Sequence, residues 1–213
     1  HTRFKCDWSS DVCSSDLAEE AGDRLSGEEL RANIGLLFGA GHETTTNLIG
    51  NGLLALHRHP DQWERLKADP SLIPNAIEEL LRFDSSVQMS GRVTLADVEL
   101  GGVTIPANES VVTLLGAANR DPAQYPDPDR LDIGRVNIRP MSFGGGIHHC
   151  LGAQLARLEG ELVFTALIER FPNLKLPDMD QVMWKQNFTL RGLTKLPAVW
   201  QDRKSTRLNS SHT

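Results

Sequence analysis

The residues best equipped for chemistry stand together in one stretch, Phe143-Gly144-Gly145-Gly146-Ile147-His148-His149-Cys150-Leu151-Gly152. Leu151, Leu155, Leu158 and Leu162 keep helical spacing, which predicts a helix starting at or near Cys150. The positive end of a helix favours negative charge on a nearby sulfur, so thiolate chemistry is the first to consider. The preceding glycines let backbone N–H groups turn toward the sulfur and a flat cofactor approach closely, and Gly152 removes a side chain where a ring would need room. Three other readings stand beside this one. A lone cysteine in a reducing compartment is commonly a buried small hydrophobe. A zinc site wants about four ligands, and only His148, His149 and His42 are at hand. A thiol nucleophile would take a histidine as base, but no oxyanion or orienting partner suggests itself.

Two further groups attract notice. Leu30, Ile34, Leu37, Gly41, Thr44 and Leu48 recur at steps of four and three, one face of a helix. A glycine at Gly41 costs about 1 kcal/mol of helix propensity relative to alanine. Thr44 offers a hydroxyl on an otherwise apolar face, where bonding back to the Ala40 carbonyl is its simplest fate. Glu79 and Arg82 lie three apart, a spacing that permits a salt bridge. On an exposed helix such a pair contributes under about 1 kcal/mol.

The elements that must position these residues are legible from period and punctuation. Ser26 with Glu29 makes a capping box at the start of the Gly41 helix. That helix is predicted to run to His57, before the break at Pro60, so its roughly 31 residues span about 45 Å. Helices are predicted over Asp61–Lys67 and Pro74–Phe83. Val93, Leu95, Val98 and Leu100 then alternate with polar residues, and Gly101-Gly102 turns the chain before Val103 and Ile105, a small sheet. Asn119 to Asp132 carries three prolines and many aspartates, an irregular, proline-braced segment. Val182 to Trp200 reads as short strands. The fold class is mainly α with a small β-sheet.

The net charge of −6 argues against nucleic acid as a partner, since phosphate binding wants a basic surface. Apolar runs such as Ile34 to Ala40 fall far short of a membrane span, and no signal peptide is recognisable, so a cytoplasmic location is expected. The remaining cysteines, Cys6 and Cys13, lie in an aperiodic Ser/Asp-rich stretch and build no disulfide framework. Residues 1–17 and 202–213 are expected to be disordered, non-native tails resembling translated sequencing-adapter DNA, which leaves 18–201 as the folded part.

Phe143, Gly146, His148, Cys150 and Gly152 match, in spacing, the haem-binding signature of the cytochromes P-450. Three other segments follow the same family's pattern. Ala40-Gly41-His42-Glu43-Thr44-Thr45 resembles its oxygen-binding motif, Glu79-Leu80-Leu81-Arg82 its Glu-x-x-Arg motif, and Asp127-Pro128-Asp129-Arg130 its proline-braced motif. All four occur in family order, over roughly Glu19 to Trp200, so the chain is similar to the C-terminal, haem-binding half of a bacterial-type soluble P-450.

The resemblance implies the following roles. Cys150 ligates the iron of haem b as a thiolate. Ala40 and Gly41 leave room beside the iron, Thr44 orients dioxygen and its waters, and Glu43 feeds protons. Arg92 and His148 hold the haem propionates. Arg139 stands near the place where many relatives carry another propionate-binding His. Glu79, Arg82 and Arg130 form a buried structural ion network. Leu36, Leu37, Val87, Gln88, Met89 and Phe188 face substrate. The implied activity is monooxygenation of an apolar small molecule with O2 and two electrons from a ferredoxin- or flavodoxin-type donor. Family members are roughly twice this long, so the chain is expected to be a truncated, inactive fragment. A non-catalytic haem-binding module and a structural helical fragment are the alternatives.

Overall fold

The computed structural model describes residues 19–20 and 23–200; both expected tails, 1–17 and 202–213, lie outside the described residues. Contacts divide the chain into two units, His1–Glu43 and Thr44–Thr213. In the first, β1 (Glu19–Glu20) pairs antiparallel with β2 (Asp23–Arg24), and α1 (Gly27–Arg58) begins. The capping box forms as its residues predict: Ser26 N donates to Glu29 Oε2 at 2.8 Å, and Glu29 N donates to Ser26 Oγ at 3.2 Å. The bond from the Ser26 N–H, then that with its hydroxyl, holds the Glu29 carboxyl below its ordinary range. The predicted apolar stripe of α1 is exposed at Ile34, Leu37 and Gly41 and buried at Leu48; continuous burial starts only at Asn51.

In the second unit the core is helical. The C-terminal part of α1 packs with α2 (Pro60–Ala68), α3 (Ile73–Phe83) and α5 (Ala153–Arg170). Leu56, Leu66, Ile77, Leu80 and Phe164 are buried there, each worth about 1.5–3 kcal/mol in removed apolar surface. Two glycines allow the helices to meet. A Cβ at Gly52 would stand 2.9 Å from Leu80 Cδ1, and one at Gly160 would stand 3.0 Å from Ile77 Cδ1. The leucines of α5 are therefore not its core face. Leu155, Leu158 and Leu162 are exposed, and the buried positions are Ala153, Gly160 and Phe164: Gly160 lets Ile77 of α3 come close, and the Phe164 ring fills the space beside Gly52 of α1.

The expected small β portion forms as two-stranded antiparallel pairs. β3 (Ser90–Val93) pairs with β6 (Ser110–Thr113), and β4 (Val98–Leu100) with β5 (Val103–Ile105) across the Gly101-Gly102 turn. A single turn of helix, α4 (Leu115–Ala118), follows β6. The region 182–200 makes only isolated bridges, Trp184 with Leu193, Val87 with Leu190 and Lys175 with Val199, rather than strands. Among the described residues no helix is long and apolar enough to cross a membrane.

Candidate functional site

Cys150 is presented by a closed loop. Cys150 N donates to Phe143 O at 2.9 Å, while inside the loop Gly144 N donates to Met141 O at 2.8 Å and His149 N to Gly146 O at 3.1 Å. Gly144 has φ 67° and ψ −154°, a region open essentially to glycine alone, and Gly146 has φ 65°. These two residues are what the Gly-Gly-Gly run is for; Gly144, not singled out from the sequence, carries the stronger constraint. The helix itself starts later than expected. α5 begins at Ala153 with Gly152 as N-cap, so Cys150 stands just ahead of it. The thiol is exposed, as are His148 and His149, and it is flanked by the large apolar side chains of Ile147 (97% exposed) and Leu151 (89%). A Cβ at Gly152 would lie 4.0 Å from the Cys150 sulfur, and one at Gly146 would meet nothing. Among the described residues no group of three or more His, Cys, Asp and Glu is placed to hold a metal ion.

The exposed loop stands on a buried base. Ser142 is the hub: its hydroxyl donates to Leu81 O at 2.6 Å and accepts from Asn119 Nδ2 and Ser85 Oγ, both at 2.9 Å. Asn119 Oδ1 accepts from Met141 N at 2.7 Å, and Asn119 O accepts from Arg82 Nη1 at 2.9 Å. A hydrogen-bonded path thus runs from the Glu79–Arg82 pair to the foot of the Cys150 loop. Phe143 seals the same foot by packing on the core under the Arg157 guanidinium, 4.6 Å from its ring, and Arg157 pairs in turn with Glu78 of α3.

Glu79 and Arg82 are wholly buried (side chains 0% exposed). Arg82 Nε donates to Glu79 Oε2 at 2.7 Å and Nη2 to Oε1 at 2.8 Å, a bidentate pair. Its other N–H groups go to the carbonyls of Asn119, Pro128 and Arg130. This corrects the third member of the network. Arg130 joins through its main-chain carbonyl while its side chain is exposed. The second cation on Glu79 is Arg135, whose Nε reaches Oε1 at 3.3 Å. The proline-braced loop explains the exchange: Arg135 also donates to the carbonyls of Pro126, Asp127 and Arg130, so the loop wraps around that guanidinium.

Other predicted residues divide between the units. In the first, Leu36, Leu37, Ala40 and Gly41 are exposed and Glu43 is half-buried. In the second, Thr44 is half-buried on α1, and Arg92 is exposed on β3, its Nη1 donating to Ser90 Oγ and Gly91 O. Arg139 is exposed and offers its carbonyl to Tyr125 Oη. Val87 bridges Leu190, and Gln88 N donates to Thr189 O at 2.8 Å, so the 87–89 segment and Phe188 are brought together; Phe188 is 90% exposed. The Gln88 side chain departs from expectation. Its Nε2 donates to Ser85 O at 2.6 Å and its amide lies against Gly116, which makes it part of the framework. Ser85, Asn119, Ser142 and Arg135 escaped the sequence reading, since isolated polar residues in loops carry no periodic signal.

Residues 6–198 match the family model for Cytochrome P450. The chain is 51% identical over 191 residues to the vitamin D(3) 25-hydroxylase of Pseudonocardia autotrophica, covering 89% of this chain and 47% of that protein. It is 46% identical over 175 residues to the 6-deoxyerythronolide B hydroxylase of Saccharopolyspora erythraea, covering 82% and 43%. The crystal structure of P450BioI in complex with an acyl carrier protein bearing hexadec-9Z-enoic acid superimposes with a TM-score of 0.82 at 45% identity, over 84% of this chain and 47% of that one. The chain thus spans less than half the length of these relatives, and with the anchored cysteine loop and the buried Glu79–Arg82 pair in place, it belongs to the cytochrome P450 family.

Proposed function

We propose that this chain is the haem-holding portion of a monooxygenase that inserts one atom of dioxygen into an apolar small molecule. The observation that carries the reading is the exposed Cys150 thiol on a glycine loop whose foot is bonded to a buried ion pair. The surroundings fit a flat, largely apolar ring ligated by sulfur: Ile147 and Leu151 offer apolar surface beside the thiol, and Gly146 and Gly152 put no side chain in the way. Haem b, when bound, supplies the redox chemistry, using two electrons and dioxygen, and thiolate ligation biases it toward O–O cleavage.

The chain's own residues then bind, orient and deliver protons. Cys150 Sγ would ligate the iron, and His148 and Arg92 would hold the propionates by charge-assisted hydrogen bonds. By the family resemblance Gly41 and Ala40 would leave room for the group, the Thr44 hydroxyl would offer a hydrogen bond to dioxygen, and the Glu43 carboxylate would hand on protons. Leu36, Leu37, Val87, Met89 and Phe188 supply apolar contact with substrate. The relatives' names, a vitamin D(3) hydroxylase and a macrolactone hydroxylase, support a bulky, apolar substrate class. The electron donor is a ferredoxin or flavodoxin, and the protein works in the cytoplasm.

The test is a carbon monoxide difference spectrum of the reduced, haem-reconstituted chain, alone and joined to a related N-terminal half. A red-shifted carbonyl band that is lost in Cys150→Ser is the expected result. Its absence from the joined protein would overturn the reading and return Cys150 to a structural thiol.

A further inference from the structure

The segment 184–193 doubles back on itself. Trp184 bridges Leu193, Lys185 N donates to Gly192 O at 2.8 Å, and Asn187 Oδ1 accepts from the N–H groups of Thr189 and Leu190, closing the tip that carries Phe188. One edge is bonded to the chain after α3, with Arg191 N donating to Ser86 O at 2.8 Å. The base rests on α1, on two asparagines. Asn51 Nδ2 donates to Arg191 O at 3.0 Å, and Lys185 Nζ donates to Asn47 Oδ1 at 3.3 Å. A Cβ at Gly192 would stand 2.0 Å from Asn47 Oδ1, so only glycine admits the backbone to that amide.

Thr44, Asn47 and Asn51 recur at steps of three and four and share one helix face. Asn47 (3% exposed) and Asn51 (1%) occupy positions on a core helix where an aliphatic side chain would pack well. Their orientations are fixed. Turning the Asn51 amide over would set oxygen against the Arg191 carbonyl, and turning that of Asn47 would set its NH2 against the Lys185 ammonium. In this orientation Asn47 Nδ2 and Asn51 Oδ1 have no hydrogen-bond partner among the described residues. Half-satisfied buried amides lower stability, so their contribution is to placement.

We infer that Asn47 and Asn51 are positioning residues for substrate selectivity, locking segment 184–193 onto α1 and so setting where Phe188 and the adjoining Val87 stand. The selectivity role rests on the monooxygenase reading above; the lock itself does not. Amide hydrogen exchange on the full chain, without haem, tests the lock. Asn47→Asp keeps the oxygen that Lys185 reaches, whereas Asn51→Asp removes the donor to Arg191 O and Asn47→Leu removes the acceptor. The Lys185 and Arg191 amides are expected to exchange roughly tenfold faster in the latter two, the loss of about one hydrogen bond, and to keep wild-type protection in Asn47→Asp.

In the haem-reconstituted protein joined to a related N-terminal half, the ratio of dissociation constants for 4-phenylimidazole and imidazole is expected to shift in the same two variants only. Equal exchange in all three variants, or protection lost throughout α3 and α5, overturns the lock. Raised exchange with an unchanged azole ratio overturns the selectivity role. A joined wild-type protein without the red-shifted carbonyl band defeats the haem reading and the selectivity role together, while the exchange result still decides the lock.

Discussion

The loop Phe143–Cys150 and the hairpin Val98–Ile105 are both surface segments turned by glycines, and both show large apolar side chains to solvent. They differ in what lies beneath. The hairpin is held by its own antiparallel pair, and Val98, Leu100 and Val103 are exposed. The cysteine loop is tied through Ser142, Asn119 and Met141 to the carbonyl of Leu81 and to Arg82. Exposure at a tip therefore says little about how firmly the tip is placed; the connectivity of the base decides it. A ligand atom has to be held to a fraction of an ångström by supporting bonds, and only the first of the two segments has them.

Five substitutions test that contrast, in descending order of effect. Arg82→Ala leaves Glu79 as an uncompensated buried charge and should lower stability by about 3–5 kcal/mol in urea unfolding, with release of the Met141 and Cys150 amides to exchange. An effect below about 1 kcal/mol, the range of surface pairs such as Lys67–Glu64, with its exposed Glu64 and half-buried Lys67, would break the argument. Next come Ser142→Ala and Gly144→Ala, each expected to lose about 1–3 kcal/mol, the first by stranding buried partners and the second by forcing a Cβ into a glycine-only conformation. Both should raise exchange in the loop before they affect α5.

In the hairpin, Leu100→Ser should change stability by less than about 0.5 kcal/mol, and a larger loss would mean that the hairpin is anchored after all. The smallest effect belongs to the start of α1. The folded-state carboxyl of Glu29 is lowered by its bonds with Ser26, so its contribution is present above the ordinary carboxyl value of 4.5 and fades as pH falls through the lowered one. An NMR titration of Glu29 should show the lowered midpoint, and Ser26→Ala, which removes the hydroxyl but keeps the main-chain N–H, should raise it only part of the way to the ordinary range.

Much of this was readable from residue types alone, and the reasons for success and failure are physical. Ser26 and Glu29 signal a helix start because their bonds are local, and Gly101-Gly102 signals a tight turn because few residues reach positive φ. The Glu79–Arg82 pair was legible as a pair, since three residues on a helix bring two side chains together. Its third member was not. Arg130 lies in the proline-braced motif, yet Arg135 makes the contact because the loop wraps it, and no spacing rule reaches across an irregular segment. The leucine stripe of α5 misled for a related reason: its period is helical, but which face is buried depends on the neighbour, and α3 meets α5 at Gly160.

By itself, then, the sequence determined the main helices, the order of the motifs and the glycine loop that ends at Cys150, because helix periods, caps and glycine turns act over a few residues. The tertiary structure alone decided that Ser142 and Asn119 carry the loop, that Arg135 completes the ion network, and that Asn47 and Asn51 meet Gly192 and Arg191. Those contacts join residues far apart in the chain, and whether a polar side chain becomes a buried connector or a solvated one depends on packing that no local pattern encodes.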